Sequence, residues 1–424
     1  MNMINIIEKK KNKERLTKEE LTYAVMGYVN EQIPDYQMSS LLMAIVLNGM
    51  TQEEILDLTD IMIKSGDQLD LSSIEGVKVD KHSTGGIGDK TTIAVLPLVA
   101  SAKVKCAKMS GRGLGFTGGT IDKLESIPGF QTKLEFSQFM KEVNTIGLAL
   151  MSQTGNLCPA DKKIYALRDV TATTESIPLI ASSIMSKKIA SGADKIVIDV
   201  KVGNGALMKT LEDAKLLAKT MIEIGKHYQK EVVCILTNME QPLGYTIGNR
   251  LEVEEAIALL KGEKSDSDFK ELVISLATYM VHLGRNIDIN QAHEEVVKQL
   301  DTKAGFHKLL EFIEMQGGRN FSNEHLKARE IYAPISGYIK KIYAEKLGTL
   351  VKEIGGGREN LQDQIDYEVG VVLNKKVGDF IQAGELLLTV YENKKIKKEE
   401  EYLACFEITE EKVEPLPLIY EIIK

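Results

Sequence analysis

Several features that would settle the class of this 424-residue chain at once are missing from it. Its four cysteines, Cys106, Cys158, Cys234 and Cys405, form no CxxC pair and no Cys/His metal spacing, so they read as reduced core thiols. The first twenty residues hold lysines but no apolar stretch long enough for a signal peptide, and no later run reaches membrane-spanning length. A cytoplasmic home is expected, with no membrane partner. Positive charge is not in excess either. The net charge of -8 argues against non-specific nucleic-acid binding, and an acidic substrate must be captured locally, against the overall field.

What is present is the composition of an ordinary globular protein, 43% hydrophobic and 27% charged, in a chain long enough for two or three domains. Two capping-box patterns, Thr17 with Glu20 and Thr51 with Glu54, stand ahead of apolar-periodic runs. Leu21, Ala24, Val25 and Tyr28 form one stripe, and residues 38–47 are almost wholly apolar until Asn48-Gly49 stops them. Residues 1–65 therefore read as a small helical unit. From about residue 76, short β-rich runs at 104–107, 146–151, 195–200 and 231–236 alternate with helical patterns, the texture of a parallel α/β domain over 66–159 and 194–331. Residues 160–193 are helical and rich in small residues, and are expected to pack back onto the first helices. From 332 to 424, strands punctuated by glycine suggest a β-rich domain. The expected architecture is a small discontinuous helical domain, a large α/β domain with a mixed, largely parallel sheet, and a C-terminal β-rich (α+β) domain. The lysine-rich clusters at 9–15 and 394–398 read as solvated ends.

The sharpest local signal is Asp80-Lys81-His82-Ser83-Thr84-Gly85-Gly86-Ile87-Gly88-Asp89-Lys90-Thr91-Thr92. Three glycines permit a backbone wrap whose N–H groups face one anion, with hydroxyls and Lys81 as further donors. The Walker A order is absent. A second stretch, from Lys108-Met109-Ser110-Gly111-Arg112-Gly113 to Thr117-Gly118-Gly119-Thr120 and Glu125, follows another predicted strand, at the sheet edge where ligands of open α/β folds gather. Two such loops could share one phosphate, each charged hydrogen bond contributing about 1.5–3 kcal/mol. His82, inside the first loop, becomes a candidate acid. Arg168 and Lys187 lie in helical segments, where they could equally snorkel.

Both loops, with Pro159-Ala160-Asp161-Lys162, the stretch from Tyr165-Ala166-Leu167-Arg168 to Thr173, and Ser176-Ile177-Pro178 through Ser186-Lys187-Lys188, closely resemble the thymidine and pyrimidine-nucleoside phosphorylases. The likeness spans nearly the whole chain. Gln241-Pro242-Leu243-Gly244-Tyr245 and Met185-Ser186-Lys187-Lys188-Ile189 favour the subgroup acting on both uridine and thymidine. The resemblance implies phosphorolysis of uridine, deoxyuridine and thymidine to free base and (deoxy)ribose 1-phosphate, with inorganic phosphate as co-substrate, no organic cofactor, and a homodimer through the helical domain. It implies phosphate contacts from Lys81, Ser83, Thr92, Lys108, Ser110 and Thr120, base contacts from Tyr165, Arg168, Ser183 and Lys187, and catalytic parts for His82, Arg168 and Lys187. It also implies a potassium ion held at Gly88, Lys90, Leu243, Thr246 and Glu255.

Three positions depart from the family pattern: Phe116 where histidine is common, Lys90 where Thr or Val is common, and Leu207 where a bulky aromatic is frequent. Carbonyl ligands do not depend on side-chain identity, so a retained potassium ion is the expectation. The alternatives are a Lys90 ammonium folded inward onto Glu255, or a Glu255 that only caps or solvates the helix over 251–260. Three rival functions also stand. One is a thymidine phosphorylase restricted to 2'-deoxynucleosides, and another an anthranilate-type phosphoribosyltransferase with a similar Thr-Gly-Gly loop. The third is a carrier role for the biotinyl/lipoyl-like C-terminal segment, whose Val390-Tyr391-Glu392-Asn393-Lys394 lacks the methionine-flanked lysine of a carrier hairpin.

Overall fold

The computed structural model of the chain describes residues 1–113, 118–263, 267–322, 324–358 and 363–424. Four helices open it: α1 (Met3–Lys11), α2 (Lys18–Val29), α3 (Asp35–Asn48) and α4 (Gln52–Lys64). Both capping boxes form. Glu20 N donates to the Thr17 hydroxyl at 3.3 Å while Thr17 N donates to Glu20 at 2.8 Å, and Thr51 and Glu54 repeat the exchange. Glu54 does more than cap: its buried carboxylate also accepts from the Lys10 ammonium at 2.7 and 2.9 Å and from Leu16 N at 2.9 Å, fastening α1 to α4. The stripe Leu21, Ala24, Val25 and Tyr28 is buried, and α3 buries Met38, Leu41, Leu42 and Ile45 before ending at Gly49.

The α/β part then runs β1 (Val79–Ser83), α5 (Thr91–Ser101), β2 (Cys106–Ser110), α6 (Thr120–Glu125), α7 (Phe136–Ile146), β3 (Leu148–Ser152), α8 (Pro159–Asp169), α9 (Ile177–Ala190), β4 (Lys195–Val202), α10 (Leu211–His227), β5 (Glu231–Asn238), β6 (Thr246–Ile247), α11 (Asn249–Lys261) and α12 (Asp268–Arg285). Strands β1, β4 and β5 pair in parallel, and β2 pairs in parallel with β3. The two groups meet where Val79 N donates to the Lys105 carbonyl at 3.0 Å. Strands β2 and β3 start about two residues later than the sequence pattern suggests. Lys103 and Gly147 adopt left-handed backbones that turn the chain out of each preceding helix first. The shift places Ser110 at the last position of β2.

Helices α8 and α9 return to the first four, with Ala160, Ile164, Leu167 and Leu179 sharing a core with Leu21, Leu41 and Leu58. The helical domain is thus discontinuous in sequence. Helix α9 also lays Ile180, Ile184 and Met185 against Ile196 and Ile198 of β4, so it lies between helical domain and sheet. The C-terminal part carries β7 (Ala328–Tyr332), β8 (Gly337–Ile342), β9 (Gly370–Leu373), β10 (Phe380–Ile381), β11 (Leu386–Tyr391), β12 (Phe406–Thr409) and β13 (Ile419–Ile423). One sheet has the order β6-β9-β11-β7 and another β10-β8-β12, while β13 crosses back to pair antiparallel with β5. The sheet of the α/β domain is therefore mixed but mostly parallel. All four cysteines are buried and unpaired, and no described helix is long and apolar enough to cross a membrane.

Candidate active site

Strand β1 delivers Lys81, His82 and Ser83 to its carboxyl end, and the glycine loop returns the chain to the start of α5. Gly88 sits at φ +73°, and a Cβ there would lie 2.6 Å from the Leu243 carbonyl oxygen, so both conformation and closeness demand glycine. Lys81 is wholly buried; its ammonium donates to the Thr91 hydroxyl and, at 3.4 Å, to that of Thr92. Asp89 accepts the Thr91 hydroxyl and stands 4.0 Å from Lys81. Burial pushes the Asp89 carboxyl up, but Lys81, Lys201 and Lys123 hold it well below the usual carboxylate range.

Lys108 projects from β2, with its ammonium 3.2 Å from one oxygen of the buried Asp80 while Lys188 holds the other at 2.6 Å. Burial drives the Lys108 ammonium's pKa down, and the neighbouring Lys188 adds to the effect against the attraction of Asp80. Gly113 N donates to Asp122 at 2.8 Å, and a Cβ on Gly119 would fall 2.0 Å from Gly113 N, so Gly113 and Gly119 lie close together at the start of α6, where Thr120 sits. Phe116 lies outside the described residues. Leu207 packs at the edge of the apolar cluster beneath β4.

The other wall comes from α8 and α9. Lys187 donates to Asp161 at 2.5 Å and, one turn back on its own helix, to the Ser183 hydroxyl at 2.9 Å. Arg168 does not snorkel. It is 1% exposed, and it donates to the carbonyls of Thr173 at 3.0 Å, Thr174 at 2.7 Å and Leu179 at 3.4 Å, leaving two of a guanidinium's five N–H donors for another acceptor. The Tyr165 ring lies 5.8 Å away.

His82 is half-buried and lies between Lys81 and Ser83 on β1. Burial first, then the ammonium groups of Lys188, Lys108, Lys187 and Lys81, hold its pKa well below the usual histidine value. One imidazole thus feels cations from both loops and from α9, which together with burial disfavour its protonated form.

At the end of the first loop, Lys90 turns inward. Its ammonium reaches the carbonyl oxygens of Leu243 and Thr246, each at 2.9 Å, and Glu255 Oε2 at 2.6 Å. Of the carboxylates that position these cations and hydroxyls, Glu255 was singled out from the sequence but the aspartates were not. Asp80, Asp89 and Asp161 all lie inside the quoted stretches, whereas the ion pair of Lys201 and Asp199 on β4, 2.7 Å apart, carries no motif.

The α/β-domain model of the glycosyl transferase family matches residues 75–305, that family's helical bundle domain matches residues 4–66, and the pyrimidine nucleoside phosphorylase C-terminal domain matches residues 338–407. Fold and site thus define a glycosyltransferase that moves a pentosyl group. The chain is 51% identical over 402 residues to the pyrimidine-nucleoside phosphorylase of Geobacillus stearothermophilus, covering 93% of each, and 49% identical over 432 residues to that of Staphylococcus epidermidis, covering all of both. It belongs to the pyrimidine-nucleoside phosphorylase family. Among solved structures, anthranilate phosphoribosyltransferase from Thermus thermophilus superposes with a TM-score of 0.58 at 16% identity, covering 73% of this chain and 99% of that one, a likeness of fold.

Proposed function

We propose that the protein splits pyrimidine nucleosides with inorganic phosphate, accepting uridine, deoxyuridine and thymidine and releasing free base and pentose 1-phosphate. The observation that carries this reading is the placement of His82, acted on at once by Lys81 and Lys108 of the two loops and by Lys187 of α9. Phosphate, held by Lys81, Ser83, Thr92, Lys108, Ser110 and Thr120, attacks the anomeric carbon with inversion. The glycosidic bond breaks through an oxocarbenium-like state, and its electron pair leaves with the base. Arg168, Lys187 and Ser183 face the base carbonyls and offset the developing negative charge, with Tyr165 beside Arg168. His82 donates a hydrogen bond to the leaving base, and a phosphate dianion among the lysines raises its proton affinity as charge builds. No organic cofactor is required. Closure of the helical domain onto the α/β domain completes the site, and the working form is a cytoplasmic homodimer joined through the helical domain.

A deoxynucleoside-restricted thymidine phosphorylase differs only in sugar tolerance. The anthranilate-type transferase shares the fold at 16% identity, whereas half-identical relatives spanning the whole chain are named as phosphorylases. Release of free base from uridine, deoxyuridine and thymidine, each with and without phosphate and without magnesium, tests the proposal. Uracil and thymine are expected only when phosphate is present, with purine nucleosides poor substrates. Equal cleavage without phosphate would make the protein a hydrolase.

A further inference from the structure

The oxygens that the resemblance assigns to a potassium ion do not fit one in this chain, because a side chain of the chain already satisfies them. Besides its bonds to Leu243 O, Thr246 O and Glu255 Oε2, the Lys90 ammonium lies 3.2 Å from the Thr246 hydroxyl. Three ammonium protons therefore meet three strong acceptors. The Thr246 hydroxyl is itself a donor, to Glu255 at 2.6 Å, so the carboxylate binds both groups that close the shell. The two remaining main-chain positions are engaged as well: the Gly88 carbonyl accepts the Lys90 N–H at 2.9 Å, and the Lys90 carbonyl accepts the Ile93 N–H at 3.0 Å. Lys90 is 1% exposed and Glu255 4%, and the Phe269 ring of α12 covers the ammonium at 5.4 Å. A second monovalent charge here would share one carboxylate with Lys90 in a space closed to water, and the two cations would repel.

We infer that the Lys90 ammonium is a covalently tethered substitute for the monovalent cation, so that this enzyme works without potassium. The mechanical role of an ion is also met. Lys90 stands immediately before Thr91 and Thr92 of the phosphate loop, and the carbonyls it binds lead into β6, a strand of the C-terminal sheet. Lys376, from the turn after β9, takes the carbonyls of Pro242 and Gly244 on either side of Leu243 and pairs with Asp268 at 2.9 Å. Residues 242–246 are thus gripped alternately by two buried ammonium groups. One fixes the segment to the phosphate loop and the other to the C-terminal sheet.

The test compares wild type with Lys90→Thr in tetramethylammonium phosphate at constant ionic strength, with and without potassium, by thermal melting and by uridine phosphorolysis. Wild type is expected to show the same melting temperature and rate in both salts. Lys90→Thr, which opens the oxygen shell, is expected to melt lower and turn over more slowly in tetramethylammonium. It should then gain about 1.5 °C per tenfold rise in potassium once binding begins, as one-site linkage requires for a chain of this length. Its rate should recover in parallel. If Lys90→Thr does not fold without potassium, folding restored by potassium supports the inference, and no rescue by potassium overturns it. A potassium response in wild type, or a folded Lys90→Thr whose melting ignores potassium, also overturns it. Melting requires no substrate, so this outcome is independent of the nucleoside assay.

Discussion

His82 is the penultimate residue of β1, and burial together with four ammonium groups disfavours the protonated imidazole. In the mechanism we propose it therefore acts as a neutral hydrogen-bond donor. Two results should follow. His82→Ala should slow kcat by about 10²–10⁴-fold, while His82→Gln, which keeps an N–H donor, should lose much less. Since the imidazole gains a proton only well below its ordinary pKa, kcat/KM should show no acid limb from His82 between pH 6 and 7. A histidine limb near 6.5 in wild type that vanishes in His82→Gln would contradict this. Arg168 shows the opposite use of a long cation: it donates to three carbonyls of its own neighbourhood and so shapes residues 173–179, besides the base contact we propose for it.

At the scale of elements, the capping box of α4 carries more than a helix end. Thr17→Ala removes a side-chain cap at an exposed terminus and should cost about 1 kcal/mol. Glu54→Ala removes the reciprocal cap of α4 and also strands the buried Lys10 ammonium, whose pair partner lies 2.7 Å away. Breaking a buried pair from one side costs about 3–5 kcal/mol, so urea unfolding of the helical domain should begin far earlier in Glu54→Ala than in Thr17→Ala. Equal midpoints would show that the Lys10 pair contributes nothing. The helix starts were legible because a capping box is a local pattern. The starts of β2 and β3 were displaced by left-handed turns at Lys103 and Gly147 that hydrophobic pattern alone does not register.

For the whole molecule, acid stability should run through the same buried pair that replaces the ion. Burial pushes the Glu255 carboxyl up, but the Lys90 ammonium, the Thr246 hydroxyl and Tyr245 N bring it down from 4.5 to about 2. A carboxyl depressed on folding contributes stability that is fully present above its unfolded pKa and lost as pH falls through its folded one. The window is therefore from about pH 4.5 down to about 2. At about 1.4 kcal/mol per pH unit, roughly 3 kcal/mol is at stake. Glu255→Gln should be less stable than wild type at pH 7, and the gap should narrow through that window; a gap independent of pH would exclude this pair as its source.

The sequence by itself determined what depends on neighbours along the chain: the capped helices, the glycine turns that bring donors to strand ends, and the alternation that makes the α/β domain. Those features follow from backbone freedom and short-range periodicity, so a few consecutive residues suffice to show them. Only the tertiary structure decided where the long cations point. Lys90 meets Glu255 across 165 residues, and Lys188 meets Asp80 across 108. A lysine stem turns toward water as readily as inward until a distant carboxylate and carbonyls, themselves cut off from water by folding, make the inward position the more stable one.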